Sequence, residues 1–271
     1  MSTSARRAEQ RTALITGASG GIGREIARAL HAEGVSLVLV ARTQESLAQA
    51  ARAIVSSGSS EMGERAPVHP IAADLSARTE VERVARQAIE RLGHVDILVN
   101  NAAQARTGPF FEVSEGDLEE VWQVKAFGYV RMVRAIAPHM MARGGGAILN
   151  VVGNTARTPA EDFVIGSMVN AALVNFTRGV SRELARHNVR INAISPGWTL
   201  TERQRRKLEL DAAAQGTTME EVERGEARAV PLRRLVRMEE IAALALLLVS
   251  ERTPALTGEE IIVDAGATPG M

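Results

Sequence analysis

Seven short runs of β-type residues punctuate the chain, at Ala13–Thr16, Leu37–Val40, Val68–Ala72, Ile97–Val99, Ala147–Val151, Arg190–Ile194 and Ile261–Val263. Most are apolar throughout rather than alternating, as in strands covered on both faces. Segments with helical spacing lie between them. Val81, Val84, Ala85, Ala88 and Leu92, for example, fall on one face of a helix. Strand–helix–strand repetition predicts the α/β class and a doubly wound parallel sheet with right-handed crossovers. Thr199–Val236 breaks the rhythm: it is charged, lacks a strand, and carries Gly216, Gly225 and Pro231. An insertion of that length in a compact domain reads as a lid or binding element.

Length and composition narrow the picture. The chain has 271 residues, enough for one large domain, expected over 12–271 with Met1–Arg11 as a short polar, flexible tail. Its 32 basic residues balance 32 acidic ones, so the charge balance predicts neither a nucleic acid nor an anionic membrane as partner. The absence of cysteine excludes disulfides, thiolate metal sites and cysteine nucleophiles. Apolar stretches such as Ile241–Val249 are too short for a bilayer, and a cytoplasmic protein is expected. No His, Asp or Glu grouping has metal-ligand spacing, so no metal is expected.

The first strand runs into Thr16-Gly17-Ala18-Ser19-Gly20-Gly21-Ile22-Gly23, with helical residues following. A glycine-rich strand-to-helix turn lets backbone approach a pyrophosphate, which then sits on the helix N-terminus. The other reading of such glycines is a tight turn. After the second strand, NAD-binding chains place an acid for the ribose 2′-hydroxyl. Here Ala41-Arg42-Thr43 stands there, and the first acid is Glu45. Arg42 suits a 2′-phosphate, which predicts NADP(H) over NAD(H). Its alternative role is a solvated arginine.

Together these residues resemble the short-chain dehydrogenase/reductase family. The Gly17, Gly21 and Gly23 spacing is similar to its nucleotide motif, and Asp74-Leu75 to its adenine-binding pair. Asn100-Asn101-Ala102-Ala103 resembles its Asn-Asn-Ala-Gly turn. Pro196-Gly197 with Thr199 and Thr201 resembles the stretch beside the nicotinamide, and Thr257-Gly258 through Asp264-Ala265-Gly266 its C-terminal stretch. The likeness runs in order over roughly residues 12–267. It implies a single Rossmann-like domain with a seven-stranded sheet, and a cofactor held by Gly17, Ser19, Gly20, Gly21, Ile22, Gly23, Arg42, Asp74, Leu75, Asn101, Ala102, Ala103, Pro196, Gly197 and Thr199. It also implies a homodimer or homotetramer built through helices near Gly116–Ala142 and Asp162–His187.

The family's chemistry rests on Ser, Tyr and Lys with an assisting Asn. Tyr exchanges a proton with the substrate oxygen, and Lys lowers its pKa from the usual ~10. Aligning through Ala171-Ala172-Leu173 and Asn192–Gly197, the Ser, Tyr, Lys and Asn places fall on Gly153, Gly166, Asn170 and Lys125. Tyr129 is the chain's one tyrosine and has Val133 four residues on, so no Tyr-x-x-x-Lys exists in any register. Lys125–Tyr129 and Gly166–Leu173 are similar to a divergent, β-ketoacyl-reductase-like branch that lacks the tetrad.

Lys125 is the candidate replacement. It interrupts the stripe Leu118, Trp122, Tyr129, Met132 and Ile136, and a desolvated lysine can donate a proton near neutral pH. Its role is either to serve the substrate oxygen from the space vacated at Gly153, Gly166 and Asn170, or to bind backbone carbonyls. Asn154, Ser167 and Asn170 are weaker candidates that can equally serve local backbone. Asp162 reads as a helix N-cap. Arg203, Arg205, Arg206 and Lys207 either greet an anionic small-molecule substrate or form a solvated face. Thr107–Val113 and the insertion are expected to shape that pocket. The expected function is an NADP(H)-dependent carbonyl or alcohol oxidoreductase with a non-standard proton relay. The alternatives are a non-redox lyase or hydratase and a non-catalytic cofactor-binding sensor or subunit.

Overall fold

All seven runs form strands: β1 Thr12–Thr16, β2 Ser36–Ala41, β3 Val68–Ala72, β4 Ile97–Asn100, β5 Gly146–Val151, β6 Val189–Pro196 and β7 Glu260–Val263. They come from a computed structural model that describes residues 10–57, 66–104 and 106–269. The strands make one parallel sheet in the order β3-β2-β1-β4-β5-β6-β7. The order reverses between β1 and β4, the switch point at which such sheets bind ligands beyond their strands' C-terminal ends.

Successive strand residues face opposite ways, which explains the unbroken apolar runs. Ile15, Leu37 and Leu149 pack with Ile26 and Leu30 of α1 (Gly21–Ala32), Leu47 of α2 (Gln44–Ser57), and Ile241 and Leu248 of α9 (Met238–Val249). Leu14, Val38 and Leu98 pack on the other side with Val84 of α3 (Arg78–Leu92). Met132 and Ile136 of α5 (Gly128–Ala142) and Leu184 of α6 (Val164–Ala185) complete that layer. With its leading turn, α6 spans Glu161–Ala185 and is long and apolar enough, by length and composition, to cross a membrane. A buried core helix meets the same criterion of length and composition. Here the helix lies in the core, with Val169, Leu173 and Val174 buried beside Ala193 of β6.

Between α4 (Glu115–Val121) and α5 the backbone widens into a π-helical turn, Trp122–Phe127. Such turns recur at functional sites, and this one carries Lys125. The insertion forms two helices, α7 (Glu202–Gln215) and α8 (Met219–Ala227), over a small core of Leu208, Ala212, Val222 and Leu235. Val236 pairs with Thr199 in a single bridge that closes its base. The tail's last two residues are anchored: Gln10 donates to the Gly34 carbonyl at 3.1 Å and Arg11 to that of Val249 at 2.6 Å. The rest of the expected tail, residues 1–9, lies outside the described residues.

Candidate active site

The glycine turn is locked from below by the chain that leaves β4. The Asn101 side-chain amide donates to the Thr16 and Gly17 carbonyls, at 3.3 and 3.1 Å. The backbone amides of Asn101 and Ala102 donate to the Thr16 hydroxyl, at 2.9 and 3.1 Å. Gly17 has φ +65°, and a Cβ there would lie 2.8 Å from Asn101 Nδ2. A Cβ on Gly23 would fall on the same Nδ2 and on the Gly17 carbonyl. These glycines let the turn settle on Asn101 and lead through Ser19 and Gly20 into Gly21 and Ile22 at the start of α1.

α1 begins at Gly21, with Gly20 before it and no side chain of its own capping the first turn. Its first-turn N–H groups and dipole favour an anion. Arg42 follows β2 as an exposed side chain and makes no ion pair among the described residues. Asp74, exposed after β3, accepts from the Ser76 backbone at 3.0 Å, while Leu75 is buried. Ala103 is exposed after β4. On the far side, Gly197 presses against Asp264, where a Cβ would come within 2.5 Å of Asp264 Cβ. The Thr199 hydroxyl donates to the Gly197 carbonyl at 2.9 Å. A glycine cradle, a helix N-terminus without a cap of its own and an unpaired arginine after β2 fit a phosphorylated dinucleotide.

At the end of β5, Lys125, Gly153 and Asn170 meet. Lys125 is 7% exposed, and its Nζ donates to the Val152 carbonyl and to Asn170 Oδ1, both at 2.7 Å. Asn170 Nδ2 donates onward to the Thr155 hydroxyl at 2.8 Å, and Thr155 is half-buried. Burial lowers the Lys125 pKa from 10.5 to about 7. Lys125 thus binds a backbone carbonyl, as its structural reading foresaw, and also the Asn170 side chain.

Two vacated places are filled. Gly153 has φ +147°, which strains any other residue, and a Cβ there would sit 2.7 Å from Asn170 Nδ2, so a serine would also have to displace that amide. A Cβ on Gly166 would fall inside the Phe163 ring. The expectation of open space at both positions is therefore wrong, because Asn170 and Phe163 occupy it. Phe163, not Asp162, precedes α6, and no side chain caps that helix. The Asp162 carbonyl instead accepts from the Gly108 amide at 2.8 Å, which brings the 107–113 loop to this rim.

Ser167 does not join the cluster. It is buried and donates to the Phe163 carbonyl one turn back, at 2.8 Å. Asn154 Nδ2 donates to Asp264 at 3.3 Å. Thr155 was missed in the sequence. Its signal was its place two residues beyond the family's serine, which means little until Asn170 is seen to reach it. The basic run splits up: Arg203, Arg205 and Arg206 are exposed, and Lys207 pairs with Asp211 and Glu226 at 2.9 and 2.7 Å. That is the solvated-face reading. The insertion does border the site, since Ala229 and Val230 line a small cavity with Asn154 and Trp198.

Tyr129 is 1% exposed and donates to the Val151 carbonyl at 2.9 Å. Burial pushes its phenol above its usual range, so it cannot give up a proton readily. Tyr129→Phe is expected to leave turnover unchanged and to cost about 0.5–1.5 kcal/mol of stability, read from denaturant unfolding. Loss of activity at unchanged stability would contradict this assignment.

The family model described as Enoyl-(Acyl carrier protein) reductase matches residues 17–268. A 2,3-dihydro-2,3-dihydroxybenzoate dehydrogenase of Bacillus subtilis is 33% identical over 267 residues, covering 97% of this chain and 98% of its own. The NADPH-dependent reductase BacG of the same organism is 29% identical over 258 residues, covering 95% and 98%. Among solved structures, L-sorbose reductase from Gluconobacter frateurii, complexed with NADPH and L-sorbose, matches with a TM-score of 0.91. It shares 30% identity, over 97% of this chain and 98% of its own. The chain belongs to the short-chain dehydrogenase/reductase family. On the sequence alignment, the amine and the amide of this site fall in exchanged places. Lys125 stands where the assisting Asn is expected, Asn170 stands where Lys is expected, and the two are hydrogen-bonded to each other.

Proposed function

We propose that the protein is an NADP(H)-dependent oxidoreductase that reduces a small carbonyl compound, with Lys125 as the proton donor. The observation that carries the reading is the pair of acceptors on Lys125 Nζ. A neutral amine has two N–H bonds, and Val152 and Asn170 accept both of them. An ammonium has three. The third is the proton left over for a substrate oxygen, and burial places its loss at about pH 7. A donor titrating near the working pH is the efficient case for general acid catalysis.

The remaining residues divide the work. NADPH, when bound, supplies the hydride. Arg42 would make charge-assisted bonds to the 2′-phosphate, and the first turn of α1 would hold the pyrophosphate. Asn170 holds the amine toward the end of β5. It also leaves the Thr155 hydroxyl, which accepts from Asn170, free to donate to the substrate oxygen. When that oxygen takes the Lys125 proton, the amine returns to its two-bond neutral state and is recharged from solvent. NADPH-bound relatives of matching fold support the choice of cofactor.

The test is titration of the purified protein with NADPH and NADH, followed by NADPH oxidation with a panel of carbonyl compounds. Tighter binding of NADPH, and its oxidation by at least one carbonyl, is expected. Binding without turnover across a broad panel would favour a sensor or inactive subunit. No binding of either dinucleotide would sink the reading.

A further inference from the structure

The anion cradle of α1 is in contact with a carboxylate from the chain itself. Glu202, the first residue of α7, accepts from the Gly21 backbone N–H through Oε2 at 3.0 Å. Its Oε1 pairs with Arg24, one turn into α1. Thr201 lies against the same turn, since a Cβ on Gly21 would be 3.7 Å from Thr201 Cγ2. The Thr201 hydroxyl caps α7 by accepting from the Gln204 amide at 3.2 Å, which fixes where the Glu202 side chain starts. The leading turn of the insertion is thus docked on the glycine turn, with a negative group on the N–H that a pyrophosphate would use.

A carboxylate and a phosphate oxygen are equivalent ligands for a helix N-terminus, and both are drawn by the same dipole and the same arginine. They cannot share one N–H, and two anions at this spacing repel. We propose that Glu202 is an internal competitor for the cofactor's pyrophosphate, setting NADP(H) affinity by holding α7 on the cradle until the dinucleotide displaces it. Displacement moves the leading turn of the insertion away from Gly21 and frees Arg24 for the incoming phosphate. The inference rests on the cofactor reading above.

The test compares the full chain with Glu202→Gln and Glu202→Ala in equilibrium titrations, each checked by thermal melting. Removing the charge is expected to tighten NADPH binding about tenfold, the scale of one charge-assisted hydrogen bond. Adenosine 2′-phosphate has the phosphate for Arg42 but no pyrophosphate, and its affinity is expected to stay the same. Unchanged or weaker NADPH binding in the variants, or equal tightening of both probes, would overturn the competitor role. So would loss of folding in both variants, which would make the carboxylate a structural cap. A wild-type protein that binds neither NADPH nor NADH would overturn the cofactor reading itself, an outcome distinct from equal binding by wild type and variants.

Discussion

Lys125→Met is expected to lower carbonyl reduction by about 10²–10⁴-fold, the usual worth of a positioned general acid, with NADPH affinity unchanged. Methionine keeps the length of the side chain and removes the donor. The Val152 carbonyl and Asn170 Oδ1 then lose their partner, at about 1–3 kcal/mol each. Against this, the penalty of burying an amine disappears, so a folded variant is expected. Single-turnover reduction with pre-bound NADPH separates the effects, because a folding defect lowers the amplitude and a lost acid lowers the rate. Full activity in the variant would return Lys125 to a structural role.

The pH dependence follows from the same group. Reduction draws on protonated Lys125, so its rate is expected to fall as pH rises through about 7, and the variant should lack that limb. Stability runs the other way. The folded-state pKa lies below the usual 10.5, so between about 7 and 10.5 the unfolded chain holds a proton that the folded chain has released. Stability therefore rises with pH across that window, and Lys125→Met should lose this part of the slope in unfolding measured at several pH values.

Arg42→Asp is expected to weaken NADPH binding by about 100-fold and to bring NADH to equal or better affinity. Charge-assisted bonds to a phosphate are worth about 1.5–3 kcal/mol, and a carboxylate would add repulsion while offering an acceptor for a ribose hydroxyl. Arg42 is exposed and unpaired among the described residues, so stability should move by no more than about 0.5 kcal/mol. A parallel loss of both cofactors would mean that Arg42 shapes the loop instead of reading the phosphate.

The two kinds of prediction drew on different information. Arg42 and the glycine turn were legible in the sequence, because a strand–turn–helix places them at a fixed distance from a phosphate through local geometry. The absence of a tyrosine acid was legible from composition: one tyrosine, with no lysine four residues on. What replaced it was only half legible. Lys125 stood out as a charge in an apolar stripe, but residue 170 is 45 positions away, and nothing local states that its amide reaches the amine.

The packing around Gly153 and Gly166 was read wrongly for the same reason. A glycine where a side chain is expected suggests open space when read along the chain. Whether that space exists depends on what distant residues do, and here the Asn170 amide and the Phe163 ring fill it. Ser167 lost its candidacy to a carbonyl one turn back, a bond within reach of any mid-helix serine. Glu202 gave no signal at all, since its partner N–H is 181 residues earlier.

The sequence by itself determined the seven parallel strands, the family, the cradle and the loss of the usual acid. Each of these rests on periodicity, on motif spacing within one turn, or on the presence or absence of a residue type. Only the tertiary structure decided which side chains meet: Lys125 with Asn170, Asn170 with Thr155, Phe163 over Gly166, and Glu202 on α1. Those meetings depend on β5, α6 and α7 being brought side by side at the end of the sheet, and on the burial that moves the lysine's pKa. Both are properties of packing between elements, which no local pattern encodes.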